Sequence, residues 1–506
     1  MPAALAALAA LVWLPAVTGG FVADDFVMLR TVEQLPGAFD AFARDDLGQS
    51  GGEGHFYRPL WVLWCAAIER TFGAAPVAFH AANLLLFSVA TVQVWGLARQ
   101  LVGNRGALVG AAAFALYPRH GESVAWVSGS TDLVATVLAL GALLCLGAPW
   151  RPSTRLVGAA VLAAAAALAK EAAFVLPALA LLLALAQPPE PERGGGRFGG
   201  AAAMAGALLV VLAVRTAVLG GTGGYGEDPL TAGNVVAALA SYPLAAVTPH
   251  QLEVLRHPVL LALPLAVLLA VAVGVARRPR PVVLIGLAWF AVALVPVLGQ
   301  PLDLNTATGE RLLFLPSVGL ALALGAVVGE LRLLRSRALA AVALGLAGLL
   351  CVLGARNWHT AGELAERVSG EAAALAVDGR PLTLLSIPEG YRNAHVFGNA
   401  LDLAVERAGG RRVTLRWCVP VQVREERSGA VVFRGAGGRG FTGSSGWSAP
   451  FDFPLSGGSQ RGPGCAYAEA AGADGAIGLS LGAVARPEGA GRLAVFDGRD
   501  LVSLGR

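Results

Sequence analysis

Along roughly the first 350 residues, hydrophobic side chains run in blocks and do not recur at the three- to four-residue spacing of an amphipathic helix. Several blocks approach the roughly 20 residues that a helix needs to cross a bilayer core. Eleven spans are predicted, at about residues 3–20, 78–98, 106–118, 132–148, 155–169, 172–187, 199–219, 257–276, 281–298, 312–329 and 338–354. Residues 59–72 read as a further re-entrant or interfacial helix. The first block has no basic leading region and runs straight into an acidic pair, so it is read as a retained span and not as a cleaved signal peptide.

Beyond Arg356 the pattern changes to a mixed, glycine-rich sequence. Leu382–Ile387 and Arg412–Trp417 read as strands and Ala394–Ala408 as a helix between them. Residues 435–465 carry turn chemistry and read as a long loop. Leu493–Phe496 and Leu501–Leu504 read as a hairpin about Asp497-Gly498. The predicted fold class is mainly α: a polytopic helical membrane domain of about 11 spans over residues 1–355, with its first outer loop at 21–75. A juxtamembrane connector (356–380) and a small α+β soluble domain (381–506) follow.

Composition agrees with this division. Hydrophobic residues make up 56% of the chain and charged ones only 14%, against about a quarter charged in soluble domains. The net charge of +4 does not point to nucleic acid, because the arginines cluster in short gaps between apolar blocks. The five gaps assigned to the cytoplasm hold twelve basic residues and three acidic ones. That bias places Asp24, Asp25 and the tail on the opposite, periplasmic or extracellular, side of the inner membrane. Cys65, Cys145 and Cys351 read as packing residues. Cys418 and Cys465 have the chance to pair only if the tail lies outside the cytoplasm, and no spacing rule supports the pair.

Six polar segments fall at the outer face of this arrangement: Phe21–Asp25, Tyr57–Leu60, Tyr117–Gly129 with Asp132 close behind, Ala169–Glu171, Gly309–Ser317 and Arg356–Trp358. Polar groups scattered along the sequence but gathered at one membrane depth suggest one water-filled site. Lys170 stands out, because every other basic residue of the 38 is arginine. Adjacent helical residues do not face each other, so Glu171 is a poor partner for it. Asp132 is read as a helix cap, His80 as a packing residue, and Trp126, Trp289 and Trp358 as an interfacial belt. His250 and His257 are too isolated to suggest a metal, and no spacing resembles a zinc site.

Together these segments resemble the membrane half of the transmembrane-and-tetratricopeptide-repeat mannosyltransferases and their bacterial relatives, within the GT-C glycosyltransferases. The family's third motif usually reads His-Pro-x-His-x-Glu-x-Val-Ala, with Ser-Gly-Arg soon after. His120, Glu122, Val124 and Ala125 match it, whereas Tyr117 replaces the leading His and Ser130 the Arg. Ala169-Lys170-Glu171 resembles the Ser-Lys-Glu motif. Glu310-Arg311-Leu312-Leu313-Phe314-Leu315-Pro316-Ser317 resembles Glu-Arg-x-Leu-Tyr-Leu-Pro-Ser. The likeness runs from about residue 20 to 365, and the tail lacks the repeat of about 34 residues.

The resemblance implies an inverting enzyme that moves a sugar, usually mannose, from a polyprenyl-phosphate donor to a hydroxyl, with protein Ser/Thr as the expected acceptor. It implies a catalytic carboxylate at Asp24 or Asp25, with Asp24 favoured; the other member would cap the first-loop helix. Arg58, Lys170 and Arg311 are candidate ligands of the donor phosphate. Arg58 has snorkelling as an alternative, and Arg311 a salt bridge to Glu310 or Asp303. His120 would donate to phosphate or orient Glu122. Glu122 would hold sugar hydroxyls or position the basic cluster, and Glu310 is counted among the substrate-binding residues. No cofactor or metal is expected, although a divalent ion at Asp24 and Asp25 is compatible with the residues. The tail is expected to bind or position the acceptor. Alternatives are transfer onto lipid A or another envelope glycan, a lipid-linked sugar flippase, and a non-catalytic membrane scaffold.

Overall fold

A computed structural model describes residues 1–45, 55–186, 198–221, 223–224, 230–248, 281–302, 308–329, 334–376, 382–397, 400–410, 415–425, 431–435, 468–471, 477–480, 492–496 and 500–503. The chain divides into two compact units, Met1–Thr18 with Met28–Arg356, and Gly19–Val27 with Asn357–Arg506.

The helices, in chain order, are α1 (Pro2–Trp13), α2 (Asp25–Glu33), α3 (Pro59–Phe72), α4 (Pro76–Ala115), α5 (Gly121–Val124), α6 (Ser130–Leu146), α7 (Pro152–Ala169), α8 (Leu176–Ala186), α9 (Gly199–Leu219), α10 (Ala232–Val247), α11 (Pro281–Leu294), α12 (Phe314–Val328), α13 (Leu334–Leu375) and α14 (Leu401–Gly409). Among the described residues five helical segments are long and apolar enough to cross a membrane: Pro76–Ala115, Pro152–Ala169, Gly199–Leu219, Glu310–Val328 and Ala340–Leu375. Five shorter apolar helical segments accompany them. The predicted span 257–276 lies outside the described residues.

The predicted spans 78–98 and 106–118 appear as the single run α4. Its 40 residues would measure about 60 Å, twice the thickness of a hydrocarbon core. Gly103, at φ 71° and ψ 179°, breaks the run in two. α13 differs from expectation in the other direction, because it passes through the predicted connector as far as Leu375. α10 was not foreseen. Asn234, Ser241 and Pro243 interrupt its apolar pattern, and it packs Tyr242 and Ala245 against Phe290 and Leu294 of α11.

α12 is held by backbone contact on two sides. A Cβ on Gly106 of α4 would lie 2.8 Å from the Gly325 carbonyl oxygen, and one on Gly110 would lie 2.6 Å from that of Ala321. On its α11 side, a Cβ on Gly286 would lie 2.5 Å from the Gly319 oxygen. Small residues let helices meet this closely where lipid supplies no hydrophobic drive for association.

Among the described residues the second unit contains the C-terminal part of α13, α14 and eight strands: β1 (Leu382–Tyr391), β2 (Ala394–His395), β3 (Leu415–Glu425), β4 (Val431–Gly435), β5 (Ala468–Ala471), β6 (Ile477–Ser480), β7 (Arg492–Phe496) and β8 (Leu501–Ser503). The main sheet runs β4-β3-β1-β7-β8, with β2 folded back on β1, and β5–β6 form a separate pair. β1 is parallel to both β3 and β7, a pairing that needs crossover connections. α14 lies in the first of these and buries Leu401, Ala404 and Val405. The predicted strands are thus present. The predicted helix starts only at Leu401, because Ala394 and His395 pair with β1. The last hairpin pairs Phe496 with Leu501. The 436–465 stretch and Cys465 lie outside the described residues, and Cys418 lies on β3.

Candidate functional site

In the first unit the predicted ionic residues stand at helix ends or in short links between apolar helices. Arg58 precedes Pro59, which opens α3. Lys170 follows the last residue of α7 in extended backbone, at φ −161° and ψ 138°. That extension sends neighbouring side chains apart. Lys170 Nζ donates to Asp132 Oδ2 in the first turn of α6. The Glu171 carboxylate accepts Arg58 Nε at 3.0 Å and Nη2 at 2.6 Å, and Arg215 Nη1 of α9 stands 3.9 Å from it.

A second pair of contacts joins the α4–α6 link to the start of α12. Glu122 accepts the Arg311 guanidinium and the backbone N–H groups of Arg311, at 2.8 Å, and Gly309, at 3.3 Å. The Arg311 guanidinium also lies 5.0 Å above the Trp126 ring. Arg119 donates to Glu310 and, through Nε at 2.9 Å, to the Thr248 carbonyl. The three cations predicted to meet a phosphate are thus each paired with a carboxylate, Arg58 with Glu171, Lys170 with Asp132 and Arg311 with Glu122. Their exposure separates them: the side chain of Arg311 is 21% exposed and that of Arg58 15%, whereas Lys170 is 5% exposed.

His120 is elsewhere in this arrangement. Its Nε2 lies 2.9 Å from Ser317 Oγ, and Phe114, Phe314, Tyr117 and Phe87 surround its ring. Burial lowers its pKa from 6.5 to about 3, so the imidazole is neutral at physiological pH.

The acidic pair belongs to the second unit. Asp25 is the first residue of α2 and is fully buried, and its Oδ2 accepts the Val22 N–H at 3.1 Å. Asp24 is half-buried. Asp25 thus binds the backbone three residues before it, ahead of α2, and not an N–H of the helix itself in this bond.

No protein-family model matches the chain. Among curated proteins it is 35% identical over 150 residues to protein O-mannosyl-transferase Tmtc1 of Drosophila melanogaster, a match covering 28% of this chain and 17% of the relative. It is 34% identical over 151 residues to human protein O-mannosyl-transferase TMTC1, again 28% of this chain and 17% of the relative. Drosophila Tmtc2 matches at 36% over 142 residues, 26% of this chain and 15% of that protein. The chain resembles the protein O-mannosyltransferases. The matched stretch spans only about a sixth of the length of the first two relatives. Among solved structures, ArnT from Cupriavidus metallidurans in the apo state aligns over 82% of this chain and 85% of its own, at 12% identity and a TM-score of 0.46. Arabinofuranosyltransferase AftD from Mycobacteria aligns over 82% of this chain and 33% of its own, at 18% identity and a TM-score of 0.41.

Several O-mannosyltransferase-like positions have partners that the sequence did not indicate. Asp132 was read as a cap and is the counterion of Lys170. Arg311 pairs with Glu122, and Glu310 with Arg119. Arg215 was not singled out, although a lone charge within the apolar block 199–219 was a usable signal. Trp126, Trp289 and Trp358, expected in an interfacial belt, are each buried. Trp126 packs under Arg311, Trp289 donates to the Leu315 carbonyl at 3.0 Å, and Trp358 meets the His395 ring edge-on. His80 is buried in α4, as a packing residue would be. Among the described residues no group of three or more His, Cys, Asp or Glu is placed to hold a metal ion.

Proposed function

We propose that this chain is an integral-membrane glycosyltransferase that moves a sugar, mannose first, from a polyprenyl-phosphate donor to a hydroxyl acceptor, protein Ser/Thr first, on the outer face of the membrane. One observation supports the reading above the others. In a chain similar to protein O-mannosyltransferases, Arg58, Lys170 and Arg311 are each aimed by a carboxylate of their own, Glu171, Asp132 and Glu122.

The chemistry assigned to them is a single displacement. The acceptor oxygen attacks the sugar C1 as the bond from C1 to the phosphate oxygen breaks, which inverts the configuration. The acceptor proton passes to a carboxylate, assigned to Asp24, which is half-buried where Asp25 is fully buried. The negative charge left on the polyprenyl phosphate is taken up by Arg58 and Arg311, with Lys170 as the third cation. Glu171 and Glu122 position the two arginines. Glu310 acts through Arg119, and His120 supports the start of α12 through Ser317. A divalent ion is not required by this scheme.

The test is transfer of labelled mannose from polyprenyl-phosphate mannose in membranes holding wild type or Asp24→Asn/Asp25→Asn at matched protein levels. Label on protein in wild type, lost in the double variant, is the expected result. Label on lipid A or another glycan would move the acceptor class. Equal label in both would remove the acidic pair from the chemistry. No label with any donor would leave the flippase and scaffold readings.

A further inference from the structure

The segment carrying Asp24 and Asp25 is built into the fold of the tail, although hundreds of residues separate them in sequence. At Gly20 the backbone touches α13. A Cβ on Gly362 would lie 2.3 Å from the Gly20 nitrogen, and one on Gly20 would lie 2.9 Å from the Gly362 oxygen. Three residues on, the Ala23 N–H donates to the Val396 carbonyl at 2.9 Å, and the Val396 N–H donates to the Glu389 carbonyl at 2.8 Å. Residue 23 is thereby appended to the β1–β2 hairpin.

This join is strained. Ala23 at φ 46° and Arg392 at φ 52° are the non-glycine residues with positive φ among those described, and they lie on its two sides. Such a conformation persists only where its surroundings enforce it. Immediately after Ala23, the loop is closed by Asp25 accepting the Val22 N–H and donating its own N–H to the Val22 carbonyl at 3.0 Å. Asp24 sits inside this turn, directly after the strained residue, so its place is set by Gly362, Val396 and the β1–β2 hairpin.

We propose that the tail unit is the positioning element of the acidic pair, and not only an acceptor-binding annex. The proposal rests on the reading that a carboxylate of this pair takes the acceptor proton. Gly362 and Val396 are then positioning residues: disturbing them displaces the base while leaving the donor-binding arginines unaltered.

The experiment uses the purified full-length chain, polyprenyl-phosphate mannose as donor, and the variants Gly362→Ala, Ala23→Pro and Asp24→Asn. Ala23→Pro removes the N–H given to Val396 and forbids φ 46°. A displacement of about 1 Å costs on the order of 10²-fold in rate. Gly362→Ala and Ala23→Pro are therefore expected to lose about 10²-fold in kcat, with donor KM within about twofold of wild type. If Asp24→Asn keeps the wild-type rate, the assignment of the base fails. If Asp24→Asn is inactive while both loop variants keep the wild-type kcat, the positioning role alone is overturned. A wild-type measurement decides the matter should the variants not fold. Hydrogen exchange at the Ala23 amide is expected to be as slow as at Val396, with both lost together as denaturant rises. Free exchange at Ala23 beside a protected Val396 would overturn the proposal.

Discussion

Lys170 and Glu171 are adjacent in sequence and serve opposite partners: the ammonium of the first is held by Asp132 of α6, and the carboxylate of the second grips Arg58 at the head of α3. One extended residue after α7 thus connects three helices through two ion pairs. The dipeptide aims both a cation and the counterion of a second cation, so its members should fail in different ways.

Glu171→Gln keeps the shape of the side chain but weakens its hold on the Arg58 fork. Donor KM is expected to rise about tenfold, equivalent to roughly 1.4 kcal/mol, with kcat within about twofold. Initial rates over a donor titration would read this. An unchanged KM would remove Arg58 from the donor-binding set.

Lys170 and Asp132 are both buried. Asp132→Asn leaves an uncompensated buried ammonium and should cost about 3–5 kcal/mol of stability. The paired change Lys170→Met/Asp132→Leu should recover most of that loss without restoring transfer. Thermal unfolding in detergent, run beside the transfer assay, separates the two effects. Recovery of activity in the pair variant would show that no cation is needed there.

Arg119 and Glu310 are the most deeply buried ion pair described in the first unit, at 1% and 0% side-chain exposure. Glu310→Gln is expected to lower stability by about 3–5 kcal/mol. The protein that still folds should retain wild-type donor KM. A large KM effect at full stability would instead give Glu310 direct contact with substrate.

His120 gives a pH signature. Its folded pKa of about 3 lies below the ordinary 6.5, so the unfolded chain binds the extra proton first. The stability it contributes is fully present above about pH 6.5 and falls as the pH drops toward 3, by roughly 1.4 kcal/mol per pH unit. Unfolding midpoints of wild type and His120→Gln across pH 7 to 4 should converge as the pH falls. Parallel curves would mean that the imidazole is not buried in its neutral form.

Much of this was readable from residue order. Block-wise hydrophobicity marked the helical half, and alternation and turn chemistry marked β1, β3, β7 and β8 of the tail but not β2, β4, β5 or β6. Lys170 was singled out because it is the sole lysine. That Glu171 is not its partner was expected from helix geometry, but the structure separates the two by extended backbone at Lys170. Partner identity was not readable. Nothing local joins Glu122 to Arg311 or Arg119 to Glu310, because those pairings depend on how the α4–α6 link packs against the start of α12. The docking of Gly19–Val27 in the tail was hidden for a related reason. It relies on two glycines, Gly20 and Gly362, whose role appears only once their backbones touch.

The glycine contacts of α12 bear on Arg311 itself. Rolling or sliding that helix would drive the carbonyls of Ala321, Gly325 or Gly319 into neighbouring backbone on one side or the other. The link carrying Glu310 and Arg311 leads directly into its first turn. The guanidinium is therefore mounted on a part with no play, like a tool held in a vice from both jaws. On the proposed donor-binding role of Arg311, adjustment to donors of different size would have to come from its side chain and from the donor, and not from the helix.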